Sequence, residues 1–146
     1  MAAVSWKNNS SGSWNTATNW SNAALPTSAD TVTIGFGSAS NTFTVTENTA
    51  NAAANTLTID GDTQAPINHS VTLAMVGNTL TVNTSVALSN DQSIISGFGT
   101  LSAGGNISGS GCHGGSAQAH RGRNPGKWSR ADDRHGSGLH ARNEPD

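Results

Sequence analysis

Charge is scarce in this chain: only 11% of its 146 residues are Asp, Glu, Lys or Arg, where a typical soluble domain carries about 25%. Tyrosine is absent, and there is one cysteine, Cys112. Residues 8–111 contain no Lys or Arg at all. Each shortage removes a class of protein. Helical bundles draw heavily on Leu, Glu, Lys and Arg, and these are in short supply. A single cysteine excludes a disulfide framework within the chain and a cysteine-based zinc cluster. No apolar run approaches the roughly 18 residues of a membrane-spanning helix. A net charge of −2 excludes, for the chain as a whole, the basic footprint of a nucleic-acid binder. The start, Met1 to Asn9, lacks a basic segment followed by an apolar stretch, so it does not read as a secretory signal peptide. Leu, Ile, Val and Phe together number only 23, below the roughly 20% of residues that marks disorder when net charge is high. Here net charge is low, so a polar, turn-rich β protein is expected instead.

The average conceals a break near Gly111. Before it, Asp30, Glu47, Asp60, Asp62 and Asp91 stand against Lys7 alone, a net charge of −4. After it come six basic and four acidic residues, four of the five histidines, and no threonine. Three regions follow: a Trp-rich N-terminal cap over 1–29, a strand-repeat region over 30–111, and a disordered, basic, Gly-rich tail over 112–146.

Within the middle region one unit recurs: a polar head, a hydroxyl residue, an apolar residue, Thr, and another apolar residue. It reads Asp30–Ile34, Asn41–Val45, Asn55–Ile59, His69–Leu73 and Asn78–Val82. Period-two alternation predicts strands with the apolar residues inward and threonine outward. Gly, Asn and Asp between units supply turns, as in Asp60-Gly-Asp62 and Val76-Gly-Asn78. Strand-sized repeats with few core residues each predict an all-β parallel β-helix, a β-solenoid in which every coil completes its core with its neighbours. The alternative is a β-sandwich, which shows similar strand spacing. Residues Ile94 to Gly111 read as further rungs with glycine at the corners. Helix has support only over Asn48–Asn55, where three alanines suit a turn.

Trp6, Trp14 and Trp20 crowd the first twenty residues. They admit two readings. Exposed indoles would make carbohydrate-stacking platforms; buried ones would cover the open end of a solenoid. The run Trp14-Asn-Thr-Ala-Thr-Asn-Trp20, then Pro26, Asp30-Thr-Val-Thr-Ile34 and the Asn-Thr-Leu-Thr-Val units, resembles bacterial β-strand-repeat surface proteins, such as autotransporter passengers and adhesin-like proteins. The resemblance covers residues 1–111 only. It implies a right-handed parallel β-helix at the cell surface or secreted, with a structural or adhesive role and with glycans or a neighbouring cell surface as partners.

Chemistry is sparsely represented. Asp60 and Asp62 are close enough for a carboxylate pair or a weak calcium site, but a turn pair of aspartates is the simpler reading. A polysaccharide lyase would need a cation beside its substrate carboxylate, and residues 8–111 supply none. His69 alone cannot build a Ser-His-Asp arrangement, and the glycine pairs lack the lysine and helix of a phosphate loop. The expectation is therefore a non-enzyme with no cofactor. For the tail, His120 to Gly126 read one base later with suitable codons gives Thr-Ala-Ala-Ala-Thr-Leu, the composition of the upstream repeat. An out-of-frame continuation of a longer repeat protein is thus a third reading, beside a disordered arm and a basic arm.

Overall fold

A computed structural model describes residues 1–35, 41–61 and 69–109, with two further strands at 112–114 and 118–121. The chain is a parallel β-solenoid of about four turns. Its strands are β1 (Ala3–Ser5), β2 (Gly12–Ser13), β3 (Thr31–Gly35), β4 (Phe43–Glu47), β5 (Ala52–Asp60), β6 (Val71–Leu88), β7 (Ser93–Ala103), β8 (Ile107–Gly109), β9 (Cys112–Gly114) and β10 (Gln118–Arg121). A short 3-10 turn covers Ala17–Asn19. Every ladder between these strands is parallel. That sets the β-sandwich aside, because sandwiches are assembled from antiparallel pairs.

The ladders sort into three faces. On the first face β1 pairs β3, Thr31–Asp60 partners bring β3 onto β5, Thr56–Ile59 pairs Ser85–Leu88 of β6, and Val86–Leu88 pairs β8. The second face stacks β2, β4, the start of β6, the start of β7 and β9. The third stacks Ala52–Ala54, Leu80–Val82, Leu101–Ala103 and β10. The long strand β6 thus turns a corner, and its register against β7 shifts between Val76 and Thr79. On the second face the coils tighten along the chain: Phe43 pairs with Val71, Val71 with Ser93, and Ile94 with Cys112.

The five repeat units place their side chains as the alternation predicts. Val32, Ile34, Phe43, Val45, Leu57, Ile59, Val71, Leu73, Leu80 and Val82 are all buried. Parallel stacking puts like beside like, so Val32 meets Leu57, which meets Val86 in the next coil. Each fully buried aliphatic side chain stabilises the fold by about 1.5–3 kcal/mol. A coil with only a handful of such residues therefore gains its core by sharing it with both neighbours.

Asn48–Asn55 does not form a helical turn. Ala52 and Ala54 face inward in β5, beside Leu80 and Val82. Tertiary stacking overrides the helix propensity of alanine at these positions. The expected rungs over 94–111 are present as β7 and β8, with Gly97 and Gly109 at positive φ. A Cβ at Gly35 (φ +97°) would overlap the Asp60 carbonyl oxygen in the next coil. Glycine is required there by both dihedral and space. The ladder also continues past the composition break at Gly111, since β9 and β10 pair with β7. The rest of the region expected to be a disordered tail, residues 115–117 and 122–146, lies outside the described residues.

Candidate functional site

The three tryptophans come together, and they are buried. Trp6, Trp14 and Trp20 are each 0–1% exposed. The Trp20 ring meets Trp6 edge-on at 5.0 Å and Trp14 at 4.8 Å, distances at which the ring quadrupoles attract. Their polar edges are satisfied internally. Trp20 Nε1 donates to the Trp14 carbonyl at 2.9 Å, and Trp6 Nε1 donates to the Ser10 carbonyl at 3.0 Å. Backbone hydrogen bonds then fix the head onto the first coil: Trp6 N–H donates to Thr33 and Trp14 N–H to Thr46, both at 2.9 Å. A sugar-stacking platform needs an open indole face, and none of the three offers one. The carbohydrate-platform reading of Trp6, Trp14 and Trp20 is corrected on that ground, because the indoles complete the core of the terminal coil.

Asp30 sits where the head enters β3. Its carboxylate accepts from the Thr27 hydroxyl at 2.7 Å, from Thr27 N–H at 3.0 Å and from Ala2 N–H at 3.1 Å. These bonds, the Thr27 hydroxyl foremost, hold its carboxyl below the usual carboxylate range. The group is a turn tie between the first two residues and the first repeat.

Asp60 closes β5 at a polar corner. Asn90 Nδ2 donates to Asp60 Oδ1 at 3.1 Å and to the Gly61 carbonyl at 2.6 Å. Asn90 Oδ1 accepts from Gln92 N–H and the Ser93 hydroxyl, while Ser93 Oγ accepts from Gly61 N–H. Burial pushes the Asp60 carboxyl up. The network is complete as a turn, one coil gripping the next. Asp62, the other half of the carboxylate pair, lies outside the described residues. Among the described residues, no group of three or more His, Cys, Asp or Glu could hold a metal ion.

Glu47 was hidden in the sequence by its place in a turn-like stretch. It is the third inward position of Phe43-Thr-Val45-Thr-Glu47, and it is fully buried. Its Oε1 accepts from Thr49 N–H at 2.9 Å, whereas Oε2 has no partner. It pairs with Met75 in the next coil, and desolvation raises its pKa. Phase alone would have found it: two residues beyond a buried Val45, a strand side chain points inward.

The outward surface is made of threonine, serine and small residues. On the first face Ser5, Thr33, Thr58 and Ala87 stand in one column, with Thr31, Thr56 and Ser85 in the next. Besides Met1 and Leu25 in the head, an exposed apolar exception is a corner, where Phe98 (62% exposed) pairs with Val76 and its ring lies over Gly77. No helix among the described residues is long and apolar enough to cross a membrane. Compared with family models, curated proteins and solved structures, the chain has no match.

Proposed function

We infer that this chain is a structural segment, a rigid spacer or presentation scaffold within a cell-surface or secreted repeat protein, without catalysis of its own. The observation that carries the reading is the division of labour between inside and outside. The interior is a largely apolar stack, interrupted by Glu47 and Ser93 and closed at one end by three indoles, while the outward columns of the first face are short, neutral side chains. Asp30 and Asp60 are engaged in turns, one tying the head to the first repeat and the other fastening coil to coil, and Glu47 lies inside the core. Such a module supplies length, stiffness and a regular surface, which is what an adhesive stalk requires.

The test is accessibility in the cells that make the protein. In a Cys112→Ser background, a cysteine introduced at outward Thr44 is treated with a membrane-impermeant maleimide on intact cells. Labelling before lysis supports surface display. Labelling only after lysis overturns it.

A further inference from the structure

We propose that the first face of the solenoid is an ice-binding surface, its ligand the ordered water lattice of a crystal plane. The observation is a two-dimensional hydroxyl array. Thr31 and Thr33 of one coil stand in register with Thr56 and Thr58 of the next, extended by Ser5 before and Ser85 after. Between Thr31 and Ile59 this register runs without a shift. Parallel strands set the two coils about 4.8 Å apart, and alternate residues along a strand lie about 6.6 Å apart. The coil spacing is close to one lattice repeat of hexagonal ice, and the spacing along the strand falls about a tenth short of the other.

Three further features fit that ligand. Threonine is β-branched and restricted at χ1, so each hydroxyl and methyl is held in place before binding. Thr31, Thr33, Thr56 and Thr58 are all half-buried rather than sealed in the core, which leaves their hydroxyls able to order water. Between Asp30, tied to Thr27 and Ala2 at one end of the face, and Asp60 at the opposite corner, the outward columns carry no charge, so the array complements a neutral lattice rather than an ionic partner. Val32, Ile34, Leu57 and Ile59, all buried beneath it, back the array with packed side chains. The second face is less suited, because Ile94 follows Thr44 and Thr72 in its column. On the third face, Ala53 precedes Thr81 and Ser102.

This inference stands on the first face alone and is independent of the scaffold role. The test is ice recrystallisation inhibition by the full chain, with crystal shape recorded in the same samples. The parent is expected to arrest grain growth and facet the crystals. Thr58→Tyr, which raises a ring out of the array, is expected to lose both effects, and the shape-preserving pair Thr33→Val with Thr58→Val to weaken them. Thr72→Tyr on the second face should match the parent, with circular dichroism confirming the strand content of every variant. A parent no more active than an unrelated protein at equal concentration overturns the proposal. So does equal loss in the Thr58 and Thr72 variants.

Discussion

Glu47 gives the sharpest test of how this core is held together. Its side chain lies inside the solenoid beside Met75, with Oε1 bonded to Thr49 N–H and Oε2 unpartnered. Leaving a buried polar atom unpaired costs about 1–3 kcal/mol, and more when the group is charged. Because desolvation raises its folded pKa above 4.5, the folded state holds this proton more tightly than the unfolded chain does. Linkage then fixes the sign: Glu47 weighs least on stability below its unfolded pKa, and stability falls as pH rises through the folded value. Glu47→Gln keeps the acceptor for Thr49 and removes the charge. The variant is expected to exceed the parent by about 1–3 kcal/mol at pH 8, with the difference shrinking at pH 4, where the parent carboxyl is itself protonated. Urea unfolding followed by the fluorescence of the buried tryptophans reads both values. A variant no more stable than the parent at pH 8, or an identical difference at both pH values, refutes the reasoning. Glu47→Met, which removes the unpaired Oε2 and extends the Met75 stack while giving up the Thr49 bond, should stabilise at pH 8 as well.

Other perturbations follow from the same geometry. Trp20→Ala removes two edge-on ring contacts and the bond to the Trp14 carbonyl. It should cost about 3–5 kcal/mol, with limited proteolysis cutting first within residues 1–29. Gly35→Ala places a Cβ on the Asp60 carbonyl at positive φ and should destabilise by more than the roughly 1 kcal/mol of a compatible glycine exchange, seen as a lowered melting temperature. Asp30 behaves oppositely to Glu47, since hydrogen bonds depress its pKa. The stability it confers is present above its unfolded pKa and is lost as pH falls through the lower folded value. Asp30→Asn should therefore lower stability at pH 7 while flattening the acid limb of the pH–stability curve.

The period-two units disclosed both strand and burial phase, because alternation is local and each apolar residue finds the interior whichever coil it joins. Which unit stacks on which was not readable. Asn55–Ile59 rests on Asp30–Ile34, while Asn41–Val45 rests beneath His69–Leu73. Neighbours in sequence go to different faces, and only corner geometry decides this. Alanines at 52 and 54 misled toward a turn because small inward residues have no β signature of their own. The indoles were legible as a group but not in orientation, since tryptophan suits a wet surface and a dry end equally. Glu47 was obscured by its chemistry: an acid beside Asn48 and Thr49 reads as turn, although its phase is that of the core.

The closed, indole-filled end and the tightening coils together give the molecule a direction. Each coil leans on the one before and the one after, so its unfolding is expected to resemble unzipping along an axis rather than collapse of a single core. The tryptophan cluster is a stopper at one end of that zipper. Loss of structure should advance toward it from the opposite end, with hydrogen-exchange protection rising toward residues 3–35 and falling toward β8. Under tension along the axis, such a stack would yield coil by coil, and a stalk built from it would dissipate load in steps.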